Sequence, residues 1–305
     1  DEHKYSYTRH RHPNENYLCE QITNLYDCSR AILFSSGTSA IFNTLSTYAS
    51  NKSFFLVSSE IYISTKKIIE RLKRIYPELV CEFFNAGDDD DLIEKVKLNK
   101  EILTLIITES CTNPNGYTLN SLTYRKINKI SPNCVTVVDN TWLSSVVFNP
   151  IMYGANIVVE SLTKYVSGGS VIMGVAVGQR KKIEKIESTS CFTGNHVSPF
   201  DCWLVSESIK TLGMRIEKSF TMISSIIHYL EKNVNVLEIK HPLCESHPDY
   251  HKASKILNLG PSVITFYSNL DPDILNKNLN KCNIILKPVS LILITVKIKL
   301  TEIFS

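Results

Sequence analysis

The chain has 305 residues, of which 43% are hydrophobic and 21% are charged, an ordinary composition for a soluble globular protein with a sizeable core. Its formal net charge of +3 is too small to indicate a nucleic-acid partner or a membrane surface. The late apolar run Val289–Val296 is far too short to span a bilayer, so we expect neither kind of partner.

Short apolar runs alternate with helix-like segments through the middle of the chain. The candidate strands are Ala31–Phe34, Ser53–Val57, Val80–Phe84, Leu103–Thr108, Val135–Val138 and Ile157–Val159. The candidate helices are Thr38–Tyr48, Thr65–Ile75, Leu92–Leu98 and Leu122–Ile130, followed by a long helical stretch from about Phe200 to Lys232. Apolar strands separated by helices are typical of a mostly parallel sheet covered on both faces, which binds ligands at the carboxyl ends of its strands.

The charged and sulfur-containing residues give little indication of a metal site. The four acids Asp88–Asp91 precede an apolar periodic segment and are interpreted as a helix start. A zinc role for His241, His247 and His251 is disfavoured because Pro248 interrupts the last pair, so we predict no metal. Nine scattered cysteines without a CxxC pair, and no start resembling a signal peptide, favour reduced thiols in a cytoplasmic protein.

Residues that could bind a ligand or take part in catalysis follow three of the predicted strands. The turn "SSGTSA" (Ser35–Ala40) opens a helix and presents backbone N–H groups to an anion. Asp139 follows an apolar strand, where a carboxylate is costly unless it meets a cation or a donor. Lys164 stands after another strand, with Ser161 and Thr163 before it. Together they fit pyridoxal phosphate, which needs a lysine for a Schiff base, an acid for its ring nitrogen and a phosphate cradle. A surface lysine and a structural carboxylate are the alternative interpretation.

The order and wording of six motifs resemble the Cys/Met-metabolism (transsulfuration) family of pyridoxal-phosphate enzymes. This family includes cystathionine γ-synthase, cystathionine β- and γ-lyases and methionine γ-lyase. The motifs are "YTRHRHPN" (Tyr7–Asn14), "FSSGTSAI" (Phe34–Ile41), "EIYIST" (Glu60–Thr65), "TESCTNPNG" (Thr108–Gly116), "VVDNTWLSSVVFNPIMYGANIVVESLTKY" (Val137–Tyr165) and "SPFDCWLVSESIKTLGMR" (Ser198–Arg215).

The resemblance implies an α/β fold of the aminotransferase-like type (fold type I), a mostly parallel sheet flanked by helices with a small, apparently shortened C-terminal α+β domain. It implies an arm over residues 1–13, a cofactor domain over 14–212 and a small domain over 213–305.

The resemblance also implies a role for each matching residue. Lys164 would hold pyridoxal 5′-phosphate as a Schiff base and shuttle protons, and Asp139 would pair with the ring nitrogen. Tyr62 would be catalytic as well, since it would stack on the ring face and assist proton transfer. The remaining cofactor contacts would be Gly37, Thr38, Ser161 and Thr163 at the phosphate, Thr141 and Asn113 at the ring, and Tyr7 and Arg9 reaching the phosphate of a neighbouring subunit. The protein should therefore be a homodimer or homotetramer.

The departures from the family concern the substrate. The segment Gly168–Val171 lacks the histidine and the acid that the family usually carries after its lysine, Ile63 replaces a glycine, and Ser64 stands where methionine γ-lyases carry a cysteine. No arginine follows Arg215, although the family binds the substrate carboxylate with an arginine of its C-terminal domain. The segment "KPVSLILITV" (Lys287–Val296) begins like the family's and then diverges, and a lysine such as Lys297 or Lys299 cannot reproduce an arginine's planar fork.

We therefore expect a carbon–sulfur lyase or transferase of amino-acid metabolism. It would catalyse β/γ-elimination or γ-replacement at a sulfur-containing or O-acylated amino acid. The alternatives are a catalytically impaired homologue with a binding or structural role and, more weakly, an aminotransferase of the same fold.

Overall fold

The computed structural model describes residue 5, residues 7–269 and the strands 286–288 and 293–297. Its larger sheet has seven strands in the order β1-β7-β6-β5-β4-β2-β3. They are β1 Arg30–Phe34, β2 Phe54–Ser58, β3 Val80–Phe84, β4 Leu103–Glu109, β5 Val135–Asp139, β6 Ile157–Ser161 and β7 Gly174–Gly178. The strands β3, β2, β4, β5 and β6 run parallel. The prediction of a mostly parallel sheet is confirmed.

The strand β7 was missed by the sequence analysis, and it runs antiparallel to both β6 and β1. Its sequence "GVAVG" is short and made of small residues, so it resembles a loop. Glycine is needed at position 174 because a Cβ there would lie 2.3 Å from the backbone oxygen of Ser36.

Helices cover both faces of this sheet. They are α1 Pro13–Tyr26, α2 Gly37–Tyr48, α3 Ile63–Ile75, α4 Asp89–Asn99, α5 Thr123–Ile130, α6 Ser144–Val147, α7 Arg180–Ser190, α8 Pro199–Ile209, α9 Leu212–Glu231 and α10 Tyr250–Ala253. Short 3₁₀ helices span Pro150–Tyr153 and Cys191–Thr193. The long helix predicted from about Phe200 to Lys232 is wrong in one respect, because the chain breaks between α8 and α9 at Lys210 and Thr211.

Alternate residues of the central strands face opposite layers of the core. On β6, Val159 packs in the cluster that holds α2, α3 and α7, whereas Val158 packs in the cluster that holds α1, α8 and the start of α9. Both residues are at most 1% exposed. The alternation explains why a strand buried on both faces has a continuous apolar sequence.

The acidic quartet and the histidines have structural partners. Asp88 caps α4, since its side chain accepts hydrogen bonds from the backbone N–H groups of Asp90 and Asp91. His241 and His247 each bond a backbone carbonyl through Nε2, that of Pro261 and that of Asn115. Within the described residues, no group of three or more His, Cys, Asp or Glu side chains could hold a metal ion.

The smaller sheet is antiparallel and has the order β10-β11-β9-β8. Its strands are β8 Val236–Lys240, β9 Val263–Ser268, β10 Leu286–Pro288 and β11 Leu293–Lys297. Of the divergent segment 287–296 and of Lys297 only the strand backbone is described, and Lys299 lies outside the described residues. The three domain boundaries stay a prediction. No helix in the described part of the chain has the length and apolarity needed to cross a membrane.

Candidate active site

A cavity of 780 Å³ opens at the carboxyl ends of β4, β5 and β6. This is the edge at which ligands of parallel sheets bind. Nine of the predicted site residues line it, namely Gly37, Thr38, Tyr62, Asn113, Asp139, Thr141, Ser161, Thr163 and Lys164. The structure therefore brings together residues that are far apart in the chain, since 127 positions separate Gly37 from Lys164.

The start of α2 forms one wall of the cavity. Ser36 caps this helix, because its Oγ accepts a hydrogen bond from the backbone N–H of Ser39 at 3.0 Å. The N–H groups of Gly37 and Thr38 precede the first intrahelical bond, so they are open to an anion. A Cβ on Gly37 would lie 2.6 Å from Cβ of Ser161, which shows how closely this turn approaches the end of β6.

Asp139 ends β5 and lines the floor of the cavity. Its Oδ1 accepts a hydrogen bond from the backbone N–H of Thr141 at 3.0 Å, and Oγ1 of Thr141 accepts one from the backbone N–H of Ser161. The surrounding protein removes water from this carboxyl and raises its pKa, an effect that the bonds to Thr141 partly oppose. A cationic partner in the cavity would favour the ionised form.

Lys164 is exposed in a turn directly after β6, and its backbone N–H bonds the carbonyl of Ser161 at 3.1 Å. The guanidinium of Arg215, only 8% exposed, donates to the carbonyls of Tyr165 and Val166 just beyond it. Burial lowers the pKa of Arg215. Gly168, at φ +63°, then reverses the chain toward β7. Lys164 therefore lies on a turn whose carbonyl oxygens accept hydrogen bonds from the buried guanidinium of Arg215, and these bonds stabilise the turn.

Thr163 lines the cavity, but its hydroxyl has partners within the protein. Its Oγ1 donates to the carbonyl of Met173 at 3.2 Å and accepts from the N–H of Met173 at 3.0 Å. These two bonds join the lysine turn to the segment that leads into β7.

Glu109 is the first of two cavity-lining carboxyls that the sequence analysis missed. It ends β4 beside Asp139 in the sheet register, and it is 5% exposed. Its Oε1 accepts from the backbone N–H of Tyr62 at 2.6 Å, and its Oε2 accepts from that of Asn113 at 3.0 Å. Burial and the neighbouring Asp139 raise the pKa of Glu109 to about 8. The signal was available, since an acid directly after an apolar strand is also what singled out Asp139.

A second missed carboxyl, Glu160, lies one residue before the end of β6 and is 2% exposed. The hydroxyl of Tyr26 donates to its Oε2, and Asn140 donates in turn to that hydroxyl at 3.1 Å. Burial raises the pKa of Glu160 to about 8, with a smaller contribution from the charge of Asp139. Its Oε1 is buried and has no hydrogen-bond partner in the part of the chain that the structure describes.

Tyr7 and Arg9 stand apart from the cavity lining. Both are exposed in the turn that precedes α1, and the guanidinium of Arg9 lies 5.0 Å from the ring centroid of Tyr7. Their predicted place in a neighbouring subunit stays a prediction.

A family model described as Cys/Met metabolism PLP-dependent enzyme matches residues 1–297 of the chain. The chain belongs to this family. Its relatives include an L-methionine gamma-lyase of Treponema denticola, 28% identical over 271 residues, which cover 87% of this chain and 66% of the relative. A cystathionine gamma-lyase of Saccharomyces cerevisiae is 29% identical over 273 residues, which cover 86% of this chain and 67% of the relative. The chain thus spans about two thirds of the length of the curated relatives it matches.

The fold agrees with that of the family. The crystal structure of cystathionine gamma-lyase from Lactobacillus plantarum, complexed with L-serine, matches with a TM-score of 0.86 at 20% identity, covering 97% of this chain and 84% of that one. At 20% identity this structural similarity is evidence for the fold alone, and the predicted fold type I is confirmed.

The cofactor of this Cys/Met-metabolism chain is pyridoxal 5′-phosphate, and the residues present fit it. Among the described residues, the carboxyl of Asp139 has a backbone N–H but no cation as its bonded partner, and it would gain one from a protonated ring nitrogen. The start of α2 offers N–H groups to a phosphate, and Lys164 extends from the same cavity lining.

Proposed function

We propose that this chain is a transsulfuration-type enzyme that catalyses β/γ-elimination or γ-replacement at a sulfur-containing or O-acylated amino acid. The observation that carries the proposal is the convergence of Lys164, Asp139 and the start of α2 on one cavity. The activities named for the relatives, methionine gamma-lyase and cystathionine gamma-lyase, support this reaction class.

The chain's own residues would divide the work as follows. Lys164 forms the covalent bond with the cofactor and, once released by substrate, moves the proton at the substrate Cα. Asp139 holds the ring nitrogen protonated, and the backbone N–H of Thr141 orients its carboxylate. Bound pyridoxal phosphate supplies a ring that accepts the electrons released at Cα.

The other lining residues would bind and orient the cofactor. Gly37 and Thr38 bind the phosphate through their backbone N–H groups, and Ser161 does so through its hydroxyl. Thr163 completes this wall, its hydroxyl holding the turn through Met173. Tyr62 covers the ring face and Asn113 lies by the ring hydroxyl.

Covalent attachment tests the core of the proposal. Protein reconstituted with pyridoxal phosphate should absorb visible light, and borohydride reduction should fix the cofactor on the peptide that contains Lys164. The variant Lys164→Ala should lose this adduct. Lys66→Ala is the matched control, because Lys66 is bonded to the carbonyl of Ser59 near the same loops and does not line the cavity. Unmodified Lys164 peptide after reconstitution would contradict the proposal.

A catalytically impaired homologue with a binding role is the second candidate. The observation that favours it is that, among the described cavity-lining residues, Lys164 is the single lysine or arginine. A substrate carboxylate would ordinarily be bound by a bidentate arginine. Incubation with cystathionine, O-acylhomoserine and methionine separates the candidates. Keto-acid release supports the enzyme, whereas cofactor attachment without release for any of them supports the homologue.

We also propose a homodimer, or a homotetramer built from dimers, in which Tyr7 and Arg9 complete the phosphate site of the neighbour. Exposed aromatic side chains on the packed pair α1 and α8 support this assembly, namely Tyr17, Phe200 and Trp203 at 54%, 62% and 49% exposure. The unpaired thiols of the described cysteines support our placement of the protein in the cytoplasm.

Light scattering combined with cofactor titration tests the assembly. Arg9→Ala should weaken cofactor retention without changing the unfolding temperature, because Arg9 is exposed within its own chain. A monomer that binds pyridoxal phosphate tightly would contradict the shared site and leave the Lys164 assignment standing.

A further inference from the structure

Glu109 contacts two loops of the cavity at once. One loop follows β2 and leads through Tyr62 into α3, and the other follows β4 and carries Asn113. The carboxylate lies between them and accepts one backbone N–H from each, at 2.6 Å from Tyr62 and 3.0 Å from Asn113. The side chains of both partners line the cavity.

We propose that Glu109 is a positioning residue that holds the backbones of Tyr62 and Asn113 at the separation the cofactor ring requires. The inference rests on the proposed function, in which these two side chains contact the ring. Glu109 acts through them, and its own carboxylate is occupied by the two N–H groups.

The chemistry of the two partners explains why an acid stands here. Both partners are donors, so the side chain between them must supply two acceptors in a fork, which a carboxylate does and an amide does not. The position is otherwise unfavourable for an acid, since the side chain is 5% exposed and adjoins Asp139. The two hydrogen bonds offset part of that cost.

The start of α3 gives the carboxylate a second reason to be there. Tyr62 is the N-cap residue of this 13-residue helix, its side chain makes no capping bond, and the first turn contains no acid. Glu109 therefore supplies, from a different strand, the acceptor for the N-cap backbone N–H that an acid of the first turn provides in a capping box. The bond that orients Tyr62 also stabilises the helix that begins beside it.

Glu60 provides a matched control, because it joins the same two loops without contacting either positioned amide. It accepts hydrogen bonds from Oγ1 of Thr112 at 3.0 Å and from Nδ2 of Asn115 at 2.6 Å. Neither of these partners lines the cavity. Loss of the Glu60 bonds should loosen the loops while leaving Tyr62 and Asn113 with their own acceptor.

The test compares Glu109→Gln with Glu60→Gln in protein reconstituted with pyridoxal phosphate. Glutamine offers one acceptor, so one buried N–H loses its partner, and the dissociation constant of the cofactor should rise roughly tenfold, a change of about 1.4 kcal/mol. Visible circular dichroism of the bound cofactor, which reports ring orientation, should weaken. In Glu60→Gln the dissociation constant should change less than about twofold, a difference small on this scale.

Amide hydrogen exchange measures how well the N–H groups of Tyr62 and Asn113 are protected by their bonds to Glu109 in the cofactor-free protein. Protection at Tyr62 or Asn113 should fall roughly tenfold in Glu109→Gln, the effect of one lost hydrogen bond. Faster exchange with an unchanged cofactor affinity and dichroism would overturn the positioning role and leave a purely structural one. Unchanged exchange would overturn the inference directly.

The unsubstituted protein supplies the remaining measurement, which is independent of how well the variant folds. Both amides must already be protected before pyridoxal phosphate is added, and rapid exchange at either one would overturn the inference. Failure of the proposed function looks different, because the unsubstituted protein itself would then take up no cofactor.

Discussion

The buried acid Glu160 makes the free energy of unfolding depend on pH, and the substitution Glu160→Gln measures its contribution separately from those of the other titrating groups. Burial raises its pKa from 4.5 to about 8, so the folded state holds a proton that the unfolded state releases. The stability from this group is fully present below pH 4.5 and is lost as the pH rises through about 8. Glutamine has the same shape and does not titrate, so Glu160→Gln removes this dependence.

The magnitude follows from the linkage between proton binding and folding. A shift from 4.5 to about 8 corresponds to roughly 3 kcal/mol of lost stability at pH 7 and roughly 4 kcal/mol at pH 8, against less than about 1 kcal/mol at pH 5. The difference in unfolding free energy between Glu160→Gln and the unsubstituted protein should therefore grow by about 3 kcal/mol, in favour of the variant, from pH 5 to pH 8.

The assay is urea unfolding of both cofactor-free proteins across this range, followed by circular dichroism. All other titrating groups are common to both proteins and largely cancel in the difference. Glu101→Gln is the control, because that side chain is 86% exposed and its replacement should change stability by less than about 0.5 kcal/mol at either pH. A difference for Glu160→Gln that stays flat from pH 5 to pH 8, or that favours the unsubstituted protein at pH 8, would refute the reasoning.

Three further outcomes are expected. Gly174→Ala should cost about 1–3 kcal/mol of unfolding free energy in a denaturant titration, because its Cβ would lie 2.3 Å from the Ser36 oxygen, whereas Gly213→Ala, with open space around its Cβ, should be neutral or stabilising. Arg215→Lys should cost about 2 kcal/mol in the same titration and change the visible dichroism of the bound cofactor, since lysine lacks the planar fork with which the guanidinium donates to the carbonyls of Tyr165 and Val166; an unchanged midpoint would contradict this. Burial lowers the pKa of His241 to about 4, so its contribution to stability should be lost as the pH falls from 6.5 to about 4, and an imidazole NMR titration near 6.5 would be the contrary result.

Local pattern determined the strands of the sheet and the edge at which the cavity lies. Apolar runs bounded by turns identified β1 to β6, because a strand buried on both faces must be apolar throughout. Asp139 and Lys164 were found because a polar residue at the end of such a run must emerge at the carboxyl edge of the sheet. The start of α2 was found for the same reason, as the Ser-Gly-Thr turn lies directly between a strand and a helix.

Tertiary structure decided the features that depend on distant parts of the chain. Tyr62 and Glu109 are 47 residues apart, and their bond exists because β2 and β4 are neighbours in the sheet although β3 lies between them in sequence. The local sequence around Arg215 indicates only a charged residue on a helix. The packing of α9 nevertheless buries its side chain against the backbone carbonyls that follow Lys164.

The environment of the two acids Glu109 and Asp139 depends both on the local sequence pattern and on tertiary packing. The sequence by itself determined that Glu109 ends a strand, as Asp139 does, because both follow apolar runs. Only the fold decided that Glu109 receives two backbone N–H groups while Asp139 receives one, since the donors for Glu109 come from loops that follow two different strands. A hydrogen bond between distant residues leaves no periodicity in either segment, and it is determined when the sheet brings them together.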